Sequence, residues 1–395
     1  MKYDFETIID RDPAIRGTGK YRIMKDSKGN KPPKGIVPLS VADMEFRTAP
    51  CVIDAIKAEA DFGVLGYHRL TDSFRESCCQ WMKTRHDWDV QPDWIVPFEQ
   101  VVPALYNAVW TFTQPGDGIL IQTPDYHHFT GATVNTGRKV LENRLVADEK
   151  GHYTVDFDDF REKAKQAKLF FLCSPQNPTG RVWTEEELRR MMNLCLQYRV
   201  PVVSDEIHSD LIFHGKKHIP TASLSPEIAA NVITGISGTK TFNLAGLQAS
   251  TVVFPNQHKK QVFDHFWQCM DIHRNNAFSL TAMEAAFNQG EEWLEQLLPY
   301  LSANFDYVVD YCEKHIPKIK TYAPDATYLM WLDCRELGLT NEELHDFMIQ
   351  KAKLGLNDGC SFGRSLNGYM RLNAACPRAT LEKAMHQLEA AVNSL

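Results

Sequence analysis

Short apolar segments alternate with helical patterns through the middle of the chain, and this alternation limits the folds available to it. Five segments are rich in β-branched and aromatic residues, as buried strands are, and they cover residues 118–122, 167–172, 200–204, 231–235 and 249–254. Between them, Thr184 and Glu187 have the spacing of a capping box, and apolar residues at helical spacing follow. The pattern predicts an α/β domain with a mostly parallel sheet covered by helices on both faces.

The periodicity changes near residue 289, which indicates a second, smaller domain. A long helix is predicted from about Glu291, followed by an α+β unit. The elements predicted in that unit are strands at 327–332 and 368–373 and helices at 341–351 and 380–392. The first 45 residues show little periodicity. We therefore predict an N-terminal arm at 1–47 that packs with the small domain, a large domain at 48–288 and a small domain at 289–395.

Charge and cysteine content exclude several classes of protein. The chain has 43 Lys and Arg against 50 Asp and Glu, a net charge of -7, and no long block of like charge, so nucleic acid is not an expected partner. No apolar run reaches the roughly 18 residues of a membrane-spanning helix, and the N-terminus is charged where a signal peptide is apolar. We expect a cytoplasmic protein. Its ten cysteines are not in paired spacing and predict neither disulfides nor a metal site.

Three polar segments follow predicted strands, where α/β sheets bind ligands. Lys240 lies among small hydroxyl residues that suit a phosphate, although a surface lysine is the alternative. Asn177 lies between prolines and has an amide that can donate to a phenolic oxygen. Asp205 directly follows an apolar strand and suits a cationic ring nitrogen, with a helix N-cap as the alternative. Together, at three neighbouring strand ends, these residues indicate a ligand site more strongly than any one of them alone.

Four segments resemble the cystalysin and cystathionine β-lyase branch of the fold-type I pyridoxal 5'-phosphate (PLP) enzymes, the aspartate aminotransferase superfamily. They lie at 37–46, 65–67, 204–208 and 240–247. The resemblance spans nearly the whole chain and implies an aspartate aminotransferase-like α/β fold with a large domain and a smaller α+β domain. It further implies PLP as the cofactor and a small amino acid as the substrate.

The resemblance also implies roles for residues around the cofactor ring. Lys240 matches the Schiff-base lysine, which then serves as the catalytic base, and Asp205 matches the partner of the pyridine nitrogen. Asn177 matches the donor to the phenolic oxygen, and Tyr126 matches the stacking ring, which is also a candidate proton donor. His208 is expected on the same face of the cofactor, with a purely structural histidine as the alternative.

The phosphate is expected at the start of a helix at 101–112, where free N–H groups favour an anion. Gln100 and Val101 supply those groups, and the hydroxyls of Ser237 and Thr239 match phosphate donors. Tyr67 resembles a tyrosine that reaches the phosphate and the substrate across a dimer interface. A homodimer with shared active sites is therefore implied.

Arg371 matches the arginine that binds the substrate carboxylate, a task in which Asn177 and Tyr67 take part, and a surface arginine is the alternative. The predicted reaction is α,β-elimination from a cysteine-type substrate, giving pyruvate, ammonia and a thiol. Aminotransfer is the first alternative, because every residue named above serves both reactions. A PLP-binding regulatory protein is the second alternative.

Several positions depart from the family patterns. Gln248 stands where aminotransferases often carry a phosphate-binding arginine, which favours the lyase. Gln100 replaces the glycine usual in the lyases, and His127 follows Tyr126 where cystalysin-like sequences commonly have a second aromatic residue. A glycine-rich segment is altered at 364–367. These departures bear on substrate preference and on cofactor affinity.

Overall fold

A computed structural model of the chain describes residues 3–11, 20, 24–149, 151–269 and 275–395. Its main feature is an eight-stranded sheet in the order β2-β9-β8-β7-β6-β3-β4-β5. The strands of this sheet are β2 (Ile95–Phe98), β3 (Gly118–Thr123), β4 (Lys139–Ala147), β5 (Tyr153–Val155), β6 (Ala167–Cys173), β7 (Val202–Asp205), β8 (Val232–Ile236) and β9 (Ser250–Val253).

The centre of this sheet is parallel and its margins are antiparallel. The pairs β3–β4, β3–β6, β6–β7 and β7–β8 are parallel, whereas β2–β9, β8–β9 and β4–β5 are antiparallel. Strands β7, β8 and β9 are buried along their whole length, which agrees with their mostly apolar sequence. All five predicted strands are present. The strand expected from residue 200 begins at Val202.

Helices cover both faces of the sheet and also form much of the smaller domain. They are α1 (Pro50–Phe62), α2 (Asp72–His86), α3 (Val101–Phe112), α4 (His127–Asn135), α5 (Phe157–Ala164), α6 (Glu185–Gln197), α7 (Pro226–Asn231), α8 (Gly238–Thr241), α9 (Gln257–Cys269), α10 (Ser279–Gln289), α11 (Glu291–His315), α12 (Asn341–Asp346) and α13 (Arg378–Val392). The predicted capping box at Thr184 and Glu187 starts α6. Helix α11 continues through Pro299.

A three-stranded antiparallel sheet follows α11, in the order β10-β13-β12. Its strands are β10 (Leu329–Asp333), β12 (Asn357–Asp358) and β13 (Tyr369–Asn373). The helix predicted at 341–351 is only partly α-helical, because Phe347–Lys351 forms a π-helical turn. In this sheet Arg371 lies opposite both Trp331 and Asn357.

The N-terminal segment packs along this smaller sheet. Strand β1 (Val37–Pro38) pairs in parallel with β11 (Leu354–Gly355), and the Glu45 amide donates to the Ala375 carbonyl at 2.8 Å. The prediction for residues 1–2, 12–19 and 21–23 of this arm lies outside the described residues. No helix within the described part of the chain is long and apolar enough to cross a membrane.

Candidate active site

The carboxyl ends of the parallel strands meet at one edge of the large sheet. Two cavities lie there side by side, and Tyr126, Ile207 and Lys240 line both of them. The first, which we call the anion cavity, is also lined by Gln100, Val101, Ser237, Thr239 and Gln248. The second, which we call the substrate cavity, is also lined by His127, His128, Asn177, Asp205, His208 and Arg371. The fold thus brings all the predicted site residues except Tyr67 to one place.

Lys240 lies on α8, a single helical turn directly after β8, and so is not on a surface loop. Ser237 begins this turn by accepting a hydrogen bond from the Thr239 amide at 3.0 Å. The Lys240 amine donates to the Ala42 carbonyl at 2.7 Å. Burial, and then the charge of Arg371, lower the pKa of Lys240 to about 8. A lysine with this pKa is partly neutral near neutral pH, which suits it to act as a nucleophile and a base.

Asp205 ends β7 and is buried. Its Oδ1 accepts from the Ile207 amide at 3.3 Å, and Asp205 does not cap an α-helix. Burial raises the pKa of Asp205 to about 7, although the Ile207 hydrogen bond and the charge of Lys240 oppose this effect. A buried carboxyl with so few partners is positioned to bind a cationic group placed in the cavity.

A hydrogen-bonded network supports the segment that follows Asp205. Glu206 accepts from Ser204 at 2.7 Å and contacts His218 at 3.0 Å. Asp210 contacts His86 at 2.8 Å and accepts from the hydroxyl of Thr241, the neighbour of Lys240, at 2.7 Å. These buried contacts fix the backbone on either side of the residues that face the cavity.

Arg371 and Asn177 are held together, although 194 residues separate them in sequence. One Arg371 nitrogen, Nη1, donates to Asn177 Oδ1 at 2.9 Å, and Nη2 donates to Asn357 Oδ1 at 2.8 Å and to the Ser40 carbonyl at 3.1 Å. Arg371 is buried, so it is not a surface arginine, and burial lowers its pKa to about 10. Its Nε is buried without a hydrogen-bond partner in the described structure.

Tyr126 and His208 complete the walls of the substrate cavity. Tyr126 precedes α4, and burial raises its pKa above the ordinary range of a phenol. His208 is buried and contacts Tyr328 edge-on, with ring centroids 5.9 Å apart. Its Nδ1 has no hydrogen-bond partner among the described residues, which argues against a purely structural histidine. Burial lowers the pKa of His208 well below its ordinary value, so the ring is neutral.

The anion cavity combines hydroxyls with the start of a helix. Gln100 is the N-cap residue of α3, and its side chain makes no capping hydrogen bond, so the first N–H groups of the helix can serve a ligand. Ser237 and Thr239 lie on the same cavity, with their hydroxyl oxygens 2.7 Å apart. Gln248 also lines this cavity, at the position where aminotransferases often carry a phosphate-binding arginine.

Tyr67 is not part of either cavity within the single chain. Its side chain is 88% exposed, and it lines a separate cleft formed by 65–68 and 275–278. The apolar neighbours Phe62, Val64 and Leu65 are also exposed.

Sequence reasoning missed several contributors to the site. Tyr328 donates to the same Ala42 carbonyl that accepts from Lys240, at 2.8 Å. Asn357 holds Arg371, and the Arg371 guanidinium lies 4.7 Å from the centre of the Phe362 ring. His128 was the easiest to find, because it adjoins His127. Asn357 and Phe362 give no sequence signal, since only strand pairing and packing in the small sheet bring them to the site.

The family model for aminotransferase class I and II matches residues 34–388. The chain belongs to this family. A cystathionine β-lyase from Bacillus subtilis, PatB, is 40% identical over 359 residues, which span 90% of this chain and 92% of the relative. The predicted family and its cystathionine β-lyase branch are thereby confirmed.

Solved structures agree with this assignment and with the predicted fold. Cystalysin from Treponema denticola, which contains PLP, is 35% identical and superimposes with a TM-score of 0.96 over all of both chains. A PLP-bound C–S lyase from Staphylococcus hominis is 31% identical, with a TM-score of 0.92 over 99% of this chain and 98% of the relative. The aspartate aminotransferase-like fold is confirmed, and the expected cofactor agrees with both structures.

Proposed function

We propose that this chain is a PLP-dependent carbon–sulfur β-lyase that converts a cysteine S-conjugate to pyruvate, ammonia and a thiol. The observation that carries the proposal is one cavity that joins an amine of lowered pKa, Lys240, to a buried carboxyl, Asp205, and a buried guanidinium, Arg371. The similarity to PatB and cystalysin favours elimination over aminotransfer.

The residues fit the phosphate, the ring nitrogen and the aldehyde of PLP. In the anion cavity, Ser237, Thr239 and the start of α3 provide donors for a phosphate. Asp205 supplies a carboxylate for the ring nitrogen, and Lys240 supplies the amine for the aldehyde. His208 Nδ1, buried and without a partner in the described structure, is available to a ligand in the same cavity.

Bound PLP supplies an electron sink for the electron pair of the substrate Cα–H bond. Arg371 holds the substrate carboxylate and orients that bond, while Asn177 and Asn357 fix the guanidinium. Lys240 Nζ takes the Cα proton as a general base, since its lowered pKa increases the fraction of neutral amine near neutral pH. The ionised Asp205 stabilises positive charge at the ring nitrogen throughout. A thiolate leaves readily and needs little acid assistance, which Tyr126 is placed to give.

The first test is incubation of the PLP-loaded protein with L-cystathionine alone and with L-alanine plus a keto acid. We expect pyruvate and ammonia in equal amounts from cystathionine without a keto acid. New amino acid without free ammonia would instead establish an aminotransferase. If neither reaction occurs in protein that holds PLP covalently, either another cysteine S-conjugate is the substrate or the protein has a regulatory role.

Replacing Arg371 with Lys is expected to raise KM for the substrate by about tenfold or more, because lysine cannot hold a carboxylate with two parallel hydrogen bonds. The effect on kcat is expected to be smaller, and both are measured from the initial rate of pyruvate release. Arg335→Lys is the control, because Arg335 pairs with Asp333 on the exposed side of the small sheet. Equal KM values for wild type and Arg371→Lys would contradict the role of Arg371.

The proposal includes a homodimer in which Tyr67 reaches the site of the neighbouring chain. It is supported by the exposed apolar stretch from Phe62 to Tyr67, since contiguous apolar surface of this kind marks an interaction site. We expect Tyr67→Phe and Lys240→Ala proteins to be weakly active or inactive alone. Refolded together, they should regain up to about a quarter of wild-type activity, because each heterodimer holds one intact site.

The control for this mixing experiment is a mixture of Lys240→Ala with Asp205→Asn, Tyr67 being intact in both. That mixture should regain nothing, because Lys240 and Asp205 line the same cavity of one chain. Heterodimers of Tyr67→Phe and Lys240→Ala that form but remain inactive would exclude the cross-chain role of Tyr67.

The domain division at residues 47 and 288 and the cytoplasmic location also remain proposals. The pairing of β1 with β11 and the hydrogen bond from Ser27 to Asp346 support an arm that packs with the small domain.

A further inference from the structure

We propose that His345 is a positioning residue for substrate binding, one that holds strand β12 in place and, through Asn357, the guanidinium of Arg371. His345 lies on α12, outside both cavities, and so it acts through other residues. The kinetic part of this inference rests on the proposed lyase function, whereas the protonation state of His345 does not depend on that function.

Both ring nitrogens of His345 face hydrogen-bond acceptors. Nδ1 lies 2.9 and 3.0 Å from the two carboxylate oxygens of Asp358, and Nε2 lies 2.8 Å from the carbonyl oxygen of Lys25. A carbonyl oxygen can only accept a hydrogen bond, and the same holds for an ionised carboxylate. Both nitrogens therefore carry a proton, and His345 is an imidazolium that joins β12 to the N-terminal segment.

The groups around the ring favour this charge. The hydrogen bond to Asp358 raises the pKa of His345 to about 9, with smaller contributions in the same direction from the Lys25 hydrogen bond and from the charges of Asp358 and Asp346. Burial opposes this shift. Asp26, on the N-terminal segment, adds negative charge next to Asp346. The charged form therefore predominates at neutral pH.

Strand β12 connects His345 to Arg371. This strand has only two residues, Asn357 and Asp358, and it lies at the edge of the small sheet, where it pairs with β13 alone. Asn357 lies opposite Arg371 in that pairing and accepts from Arg371 Nη2 at 2.8 Å. Since Asp358 is the next residue, the imidazolium fixes the strand one residue away from the amide that holds the guanidinium.

The N-terminal segment is the second connection between His345 and Arg371. Arg371 Nη2 also donates to the Ser40 carbonyl at 3.1 Å, in the segment whose Lys25 carbonyl binds His345. Ser27 of the same segment donates to Asp346, the neighbour of His345, from its amide and its hydroxyl, each at 2.7 Å. One imidazolium thus ties together the two segments that hold Arg371 Nη2.

An NMR titration of the PLP-loaded protein with labelled histidine rings tests the charge directly. The signal that is absent from the His345→Gln spectrum belongs to His345. We expect its pKa to be about 9 in wild type and closer to the ordinary 6.5 in Asp358→Asn, because an amide does not stabilise an imidazolium as a carboxylate does. A pKa near 6.5 in wild type would overturn the inference.

His345→Gln tests the positioning role, because it removes the charge and keeps a polar side chain. At pH 7 we expect KM for L-cystathionine to rise about three- to tenfold with a smaller change in kcat, since the guanidinium is less well placed for the substrate carboxylate. Asp358→Asn should raise KM in the same way. The ratio of the His345→Gln KM to the wild-type KM should fall toward one above pH 9, where the wild-type ring loses its charge.

A purely structural role of His345 would instead give the same KM ratio at every pH, and this result or an unchanged KM at pH 7 would contradict the proposal. His315→Gln is the matched control. His315, on α11, contacts the carboxylate of Glu389 at 3.6 Å but lines neither cavity. This variant should keep the wild-type KM at each pH.

Propionate supplies a measurement that does not depend on turnover. It carries a carboxylate but no amine, so it binds at Arg371 without reacting. Calorimetry on the PLP-loaded proteins should give a Kd for propionate that is about three- to tenfold higher in His345→Gln than in wild type. If cystathionine is not a substrate, the KM comparison is lost, but the Kd of propionate and the pKa of His345 still decide the inference. Equal Kd values would overturn it.

Discussion

Lys240→Ala is expected to lower kcat/KM for elimination by at least about a thousandfold, because the group that removes the Cα proton is lost. The same change removes the covalent attachment point of PLP. Borohydride reduction followed by mass spectrometry of the Lys240 peptide should therefore show the cofactor adduct in wild type and none in the variant. The fold should persist, since the Lys240 amine makes one hydrogen bond, to the Ala42 carbonyl.

Lys259 provides a matched control for this experiment. Burial lowers its pKa to about 8, as in Lys240, but it contacts Asn231 and lines neither of the two cavities. Lys259→Ala should keep the adduct at Lys240 and most of the activity. If Lys240→Ala retained elimination, or if the adduct formed at Lys259, the assignment of Lys240 would be wrong.

Asp205→Asn is expected to lower kcat by about 10² to 10³-fold, because an amide cannot stabilise a positive ring nitrogen as a carboxylate does. PLP should still attach to Lys240, so the loss appears in turnover and not in cofactor content. Asp264→Asn is the control, because burial also raises the pKa of Asp264, which lies on α9 outside both cavities. A wild-type kcat in Asp205→Asn would remove Asp205 from the site.

The same substitution should stabilise the cofactor-free protein at alkaline pH. The pKa of Asp205 is about 7 in the folded chain, against an ordinary value of 3.8 that applies when the chain is unfolded. The folded state therefore binds this proton more tightly, and the contribution of Asp205 to stability falls as the pH rises from about 4 to about 7.

Above pH 7 Asp205 is ionised in the cofactor-free wild type, and the desolvation of its buried carboxylate lowers the free energy of unfolding. Asp205→Asn removes it, so the free energy of unfolding at pH 8 should rise by about 2 to 4 kcal/mol. Near pH 4 the two proteins should be equally stable. Urea unfolding of both cofactor-free proteins at pH 4 and pH 8 measures the difference. A variant that is less stable than wild type at pH 8 would contradict the buried, poorly paired state of Asp205.

The sequence alone predicted five of the eight strands of the large sheet, but not β2, β4 or β5, and it predicted the chemistry at the strand ends. A strand buried on both faces is mostly apolar, and polar residues at its carboxyl end or shortly beyond it, such as Asp205 and Asn177, lie at the sheet edge. The resemblance of four segments, one of them around Lys240, added the family. These signals are local, because each depends on residues next to one another in the chain.

Only the tertiary structure decided which distant groups meet at that edge. Arg371 contacts Asn177, Ser40 and Asn357 because strand pairing and packing bring the small sheet and the N-terminal segment against the large sheet. The Ala42 carbonyl beside Lys240 depends on the same packing. Sequence spacing does not encode such contacts, because they follow from how complete elements fit together, and they set the pKa values and the charge of the substrate cavity.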